Sequence, residues 1–129
     1  MVKYQLSSFS LGNLQGIHCD LQSVVNRAIK ITTIDFTVIE GVRTKERQKK
    51  LVERGASQTL NSRHLTGHAV DLVPWVDGGL SWHWSDFDSL AAAMKEAAEE
   101  QMVPITWGGE WQNFPDGAHF QLSWEDYPK

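Results

Sequence analysis

Leu21, Val24, Val25, Ala28 and Ile29 recur at the i, i+3, i+4, i+7 and i+8 spacing of one apolar helical stripe, which predicts a helix over residues 20–31 with Asp20 as its cap. Residues 36–40 (FTVIE) are short, rich in β-branched side chains and followed by Gly41, the pattern of a strand. Thr44 is placed to cap a polar helix that Gly55 ends. Residues 55–66 carry turn chemistry and predict a loop. From Gly67 to Pro74 the chain alternates: Val70 and Leu72 fall on one face, Gly67, Ala69, Asp71 and Val73 on the other. A carboxylate among small neighbours leaves room on that face for something bulky. Asp77, Gly78 and Gly79 predict a turn. Residues 86–102 predict a second apolar-striped helix through Phe87, Leu90, Ala91, Met94, Ala97 and Ala98, followed by short strands near 105–107 and 118–122. This order of elements predicts an α+β fold: one small domain over residues 1–129 with a mainly antiparallel sheet packed by helices.

Composition narrows the chemistry by exclusion. The chain has 129 residues, 41% hydrophobic and 22% charged, with a formal net charge of −4. That is long enough for a core without staples, and it provides no broad basic field for nucleic acid or an anionic membrane. No apolar run approaches the roughly 20 residues of a transmembrane helix, and the N-terminal stretch lacks the apolar region of a secretory signal. The one cysteine, Cys19, cannot pair within the chain and is expected to be an inert, packed thiol.

Three side chains with metal-ligand character fall in or beside the predicted strands: His64, Asp71 and His119. Hydrolytic zinc sites take three His or carboxylate ligands and leave a fourth position open. Two neutral imidazoles and one carboxylate would leave such a site with a net charge of about +1. Asp116 lies three residues before His119, where a turn through Gly117 can bring its carboxylate within reach of water on the metal; a Pro-Asp-Gly turn would use the same residues for structure alone. His68 mimics a helical pair with His64, but in an extended segment residues i and i+4 are about 13 Å apart. His18 and His83 read as surface or partly packed residues. Trp75, Trp82 and Trp84 fit a groove wall or the core equally well, whereas Trp107 and Trp111, flanking Gly108 and Gly109, read as groove-lining.

The segment Ser62-Arg-His64-Leu-Thr-Gly67-His-Ala69-Val-Asp71 resembles the S-x-H-x-x-G-x-A-x-D signature of the zinc peptidases that cut peptidoglycan peptides. That family includes VanY-like D-alanyl-D-alanine carboxypeptidases and the L-alanyl-D-glutamate endopeptidases of phage endolysins. Asp116-Gly-Ala-His119 followed by a strand resembles its second signature. Phe36 to Arg43, a strand ending in Gly-x-Arg, and the tryptophan-rich Trp107-Gly-Gly-Glu-Trp111 are also similar to it, the last to the endolysin branch. The resemblance runs in family order from about residue 35 to 122.

It implies a fold like that of the hedgehog and D,D-peptidase domains, zinc held by His64, Asp71 and His119, Asp116 as general base, and Arg43 supporting the oxyanion, with a surface pairing of Arg43 to Glu40 or Glu46 as the structural alternative. Gln48 and Ser62 are expected, with Trp107 and Trp111, to touch substrate. Many relatives carry Glu as the base, and some have Glu shortly after the second His where this chain has Gln121; Asp at the base position is similar to the endolysin branch. The implied substrate is bacterial peptidoglycan, cut at the L-alanyl-D-glutamate bond by an expected monomer made in the host cytoplasm and released through a separate membrane pore, with wall recognition left to the catalytic domain. Loss of terminal D-alanine, or a zinc-bearing binding domain without catalysis, are the alternatives; the second is disfavoured because Asp116 and Arg43 are both present.

Overall fold

The computed structural model describes residues 3–57, 59 and 62–128. Helix α1 spans Ser8–Asn13, α2 Cys19–Ile31, α3 Lys45–Glu53 and α4 Trp84–Gln101. Strands are β1 Phe36–Glu40, β2 Ala69–Val76, β3 Gly79–Leu80, β4 Ile105–Trp107 and β5 His119–Leu122. The main sheet runs β1-β2-β5-β4 with antiparallel neighbours throughout, and β3 folds back on β2 as a hairpin. This is the expected α+β fold with an antiparallel sheet.

Period-two alternation sorts the sheet into two faces. Val38, Val70, Leu72, Phe120 and Leu122 are fully buried and join Leu21, Val24 and Val25 of α2 and Leu90 and Met94 of α4 in one core. Asp71 and His119 alternate with these apolar residues and therefore project from the other face. They are register partners across β2 and β5, and Glu40 is paired with Asp71 across β1 and β2. Between Val38 and Glu40 the β1 register shifts: Val38 pairs with Leu72, yet Glu40 pairs with Asp71. That extra residue is a β-bulge, which re-aims the end of a strand. It brings Glu40 beside Asp71 where a regular ladder would have placed Ile39.

Several element ends differ from expectation. Helix α1, capped by Ser7, was not anticipated, because six residues are too few to display a stripe. Helix α2 is capped by His18, whose Nδ1 accepts from the backbone N–H of Asp20 at 3.0 Å, rather than by Asp20 itself. Cys19 is exposed instead of packed, since it sits on the first turn, off the apolar stripe. Helix α4 begins two residues before the expected start, taking Trp84 into its first turn. Thr44 does cap α3, with its hydroxyl accepting from Arg47 N–H at 3.1 Å. In the predicted loop, Arg63–Thr66 form a 3-10 turn closed by Gly67 at φ 76°; Gln58, Leu60 and Asn61 of that loop lie outside the described residues.

Candidate active site

Two glycines fix the walls around His64. A Cβ on Gly41 would overlap the Asn13 carbonyl, and one on Gly67 would come within 2.6 Å of the Gly16 carbonyl oxygen. With both close approaches made, the Arg63–Thr66 turn docks on the end of β1: Arg43 N–H donates to the His64 carbonyl at 2.9 Å. Ser62 caps the turn, its hydroxyl accepting from His64 N–H at 3.1 Å. His64, 1% exposed, is thereby held at the floor of a cleft of about 560 Å³.

Each imidazole is fixed at one nitrogen and free at the other. His64 Nδ1 lies 2.9 Å from the Gly41 carbonyl oxygen, so it carries the proton and donates; His64 Nε2 is then the lone-pair nitrogen, 3.2 Å from Asp71 Oδ1. His119 is arranged in the opposite sense. Its Nε2 lies 2.8 Å from Gln121 Oε1, and its Nδ1 points to the same Asp71 oxygen at 3.6 Å. One donor atom from each of His64, Asp71 and His119 lies within 4.8 Å of the other two. Ligating histidines characteristically have their second nitrogen anchored to a carbonyl or carboxylate in this way. Two borderline nitrogens and a carboxylate oxygen at this spacing fit a divalent zinc-like ion, so these three residues could hold a metal. His18, Cys19 and Asp20 also cluster, but His18 Nδ1 is committed to the helix cap and the positive end of the α2 dipole disfavours a cation there.

Asp71 divides its oxygens between two tasks. Oδ1 faces the imidazoles, while Oδ2 accepts from Arg43 Nη2 at 3.3 Å. Burial by itself would raise the Asp71 pKa, yet in the absence of a metal the His119 and His64 rings donate to its carboxylate when they carry the second proton, and this outweighs burial and holds the group well below the usual carboxylate range. His119 moves the other way: burial disfavours its cation, but the Asp71 bond and charge raise its pKa.

Arg43 is buried rather than lying at the surface. It gives Nε and Nη2 to the two Glu40 oxygens at 3.0 and 2.7 Å and Nη1 to Gln48 Oε1 at 2.7 Å. The ion pair to Glu40 foreseen as a structural alternative therefore exists, but inside the cleft wall. Gln48 does not reach the cleft as expected. It is 1% exposed, and its amide nitrogen donates to the Ser57 hydroxyl and the Thr59 carbonyl, so it fastens Arg43 to the following loop. Ser62 lines the cleft, but its hydroxyl is engaged by the cap.

Asp116 is a turn residue and a cleft residue at once. Its Oδ1 accepts from Ala118 N–H at 3.2 Å, and its backbone N–H donates to the Gly108 carbonyl at 2.9 Å. The side chain is half-buried beside the histidines, and burial together with the Asp71 charge pushes its pKa up. Gly108 permits this approach, because a Cβ there would lie 2.6 Å from the Asp116 carbonyl oxygen. Trp111 stands over His119 with ring centroids 4.9 Å apart and lines the cleft. Trp107 does not, against expectation. It is buried, stacks on Phe120, donates Nε1–H to the Gly117 carbonyl at 2.8 Å and covers Gly109, which has no room for a side chain. Strand alternation explains the difference: Trp107 pairs with the core residue Phe120, whereas Trp111 lies beyond the strand. Trp75, Trp82 and Trp84 are exposed and off the cleft, as is His83. The Gly41 carbonyl and the Gln121 acceptor are the site's unforeseen supports, and the bulge that sets Glu40 beside Asp71 leaves no signature in the residue pattern.

Known proteins of one activity are similar to this chain. The chain is 26% identical to the L-alanyl-D-glutamate peptidase of Escherichia phage T5, over 94% of this chain and 99% of that one. It is 36% identical to the L-alanyl-D-glutamate peptidase of Listeria phage A118 over 73% of this chain, a match spanning 32% of the longer relative. The crystal structure of the Serratia marcescens L-Ala D-Glu endopeptidase ChiX superposes with a TM-score of 0.91 at 45% identity, covering 96% of this chain and 93% of that one. The phage L-alanyl-D-glutamate peptidase family model matches residues 2–123. With a family model matched over nearly the whole chain and relatives of the same printed name, the chain is a member of the phage L-alanyl-D-glutamate peptidase family.

Proposed function

We propose that this chain is a zinc-dependent endopeptidase that hydrolyses the L-alanyl-D-glutamate bond of peptidoglycan stem peptides, as the names of its relatives describe for them. One observation carries the metal: His64 Nε2 and His119 Nδ1, the two nitrogens left free by anchored partners, converge on one oxygen of Asp71. His64, Asp71 and His119 would hold zinc, and the ion would supply Lewis acidity for a carbonyl and for water at the site.

The chain's own groups do the rest. Asp116, its proton affinity raised by burial and by the Asp71 charge, accepts a proton from the attacking water and delivers it to the leaving amine nitrogen as the C–N bond breaks. Asp71 needs one oxygen kept on the metal side, and Arg43 holds the other. Four hydrogen bonds to Glu40, Gln48 and Asp71 occupy most of the Arg43 guanidinium. Of its five N–H groups, one at Nη1 remains to meet developing negative charge on the substrate oxygen. Trp111 forms a flat wall beside His119 against which a peptide can lie.

Bacterial peptidoglycan is the partner, recognised by this domain as a monomer. Among the described residues no helix is long and apolar enough to cross a membrane, and access to the wall is assigned to a separate pore. The test is digestion of purified sacculi with mass spectrometry of the released ends, beside an Asp116→Ala protein checked for zinc content. New N-terminal D-glutamate ends from the wild type alone support the reading. Released D-alanine would replace it with a carboxypeptidase, and no cleavage by zinc-loaded wild type would leave a binding domain.

A further inference from the structure

Two guanidinium groups line the cleft, and only one of them is balanced. Arg43 is matched by Glu40 and Asp71. Arg63, the unfixed position between Ser62 and His64 in the first motif, is 2% exposed and lines the same cleft. Its Nη2 donates to the carbonyls of Leu122 and Ser123 at 2.9 and 3.3 Å. Its Nε and Nη1 are buried and have no hydrogen-bond partner among the described residues, where no carboxylate stands within ion-pair distance of it either. The Trp124 ring, also part of the cleft wall and 48% exposed, covers the guanidinium with its centroid 3.9 Å away.

Arginine keeps its charge even when burial lowers its pKa, as it does here. A buried cation without a counter-charge is strongly unfavourable, and the imbalance is removed when a ligand supplies the anion. Arginine donors suit a carboxylate. The 3-10 turn Arg63–Thr66 also carries His64, so an anion on Arg63 would sit close to the scissile bond.

We propose that Arg63, roofed by Trp124, binds the free α-carboxylate of the D-glutamyl residue on the leaving side of the scissile bond. The assignment rests on the proposed function above. Where a stem peptide continues through the γ-carboxyl of D-glutamate, the α-carboxylate is attached to the same carbon as the amide nitrogen being released. It is therefore the charged substrate group nearest the chemistry. Trp124, stacked on the guanidinium face, must shift to admit it to Nη1 or Nε, and it then shields the pair from water. An enzyme built this way distinguishes D-glutamate from its α-amidated form.

The test is calorimetric titration of the zinc-loaded protein with γ-D-glutamyl-L-lysinamide, whose only carboxylate is the one in question, and with its α-carboxamide. The wild type should bind the acid on the order of 10- to 100-fold more tightly, and Arg63→Gln should bring the ratio close to one. Arg63→Lys, which keeps the charge, should retain part of the preference and serves should Arg63→Gln fail to fold. Equal affinity of the wild type for the two peptides would overturn the proposal, as would an unchanged ratio in a folded Arg63→Gln protein. Because binding is read without turnover, a protein that prefers the acid but fails to cut L-alanyl-γ-D-glutamyl-L-lysinamide would refute the peptidase reading and leave the carboxylate site standing.

Discussion

Gln121 accepts a hydrogen bond from His119 Nε2 at 2.8 Å and thereby leaves Nδ1 of that ring turned toward Asp71. The amide on β5 thus selects the tautomer that a metal requires. Gln121→Leu removes the acceptor while keeping the strand apolar. Zinc affinity should fall about 10- to 100-fold, measured by competition with a coloured chelator, with little change in fold by circular dichroism. Gln121→Glu should keep or tighten zinc binding, because a carboxylate accepts the same hydrogen bond.

Asp116→Ala should leave the three donors in place and remove the proton carrier. The expected result is zinc content equal to the wild type with kcat lower by about 10²- to 10⁴-fold, read from peptide cleavage beside metal analysis. Loss of zinc in parallel with activity would show that Asp116 acts as a ligand.

Gln48→Leu tests whether the residue supports Arg43 or touches substrate. Its amide is buried between the Arg43 guanidinium and the polar groups of Ser57 and Thr59, so the substitution strands a buried charged donor. Stability should fall by about 1–3 kcal/mol in urea unfolding. A stable Gln48→Leu protein with only a raised KM would restore direct substrate contact.

The two tryptophans of the Trp107–Trp111 segment should behave oppositely. Trp107→Ala empties a stacked core position and should cost about 3–5 kcal/mol. Trp111→Ala removes a cleft wall and should raise KM with almost no change in Tm. A protein that tolerates Trp107→Ala without loss of Tm would contradict the packing against Phe120.

Glu40 gives a pH test with a defined sign. Burial raises its pKa, but the hydrogen bond and charge of Arg43, helped by Arg47, outweigh that and place it below its ordinary 4.5. The folded protein therefore holds this proton less tightly than the unfolded chain. Its stabilising contribution is complete above about pH 4.5 and is lost as pH falls through the lower folded value. Glu40→Gln should be less stable at neutral pH and should lose less of its remaining stability on acidification to pH 3, followed by chemical denaturation at both pH values.

The cluster of His64, Asp71 and His119 was legible in the sequence chiefly through the resemblance of its motifs to a known family, with the place of Asp71 among small residues of an alternating strand as local support. The stripes of Val24, Val25 and Ala28 and of Leu90 and Met94 likewise announced α2 and α4, since burial follows helical period directly. What was hidden depended on contacts between distant segments. The β1 bulge shifts register by one residue, and nothing in FTVIE marks it. Trp107 and Trp111 look alike in the chain, and only the pairing of Trp107 with Phe120 separates core from cleft. Gln48 reads as a substrate contact, and only its bonds to Arg43, Ser57 and Thr59 show that it is spent on holding the fold.

The segment from Asn13 to His18 contributes no group to the cleft, yet it touches both ends of the frame that holds His64. Asn13 donates its side-chain amide to the Val38 carbonyl at 2.8 Å, its own carbonyl leaves no space for a side chain on Gly41, and His18 N–H donates to the Gly67 carbonyl at 2.8 Å. This segment works as a keystone. An engineer who trims the chain back to α2, or splices a partner domain into residues 13–18, should find that the damage first registers as poor metal retention, even though every ligand is still encoded.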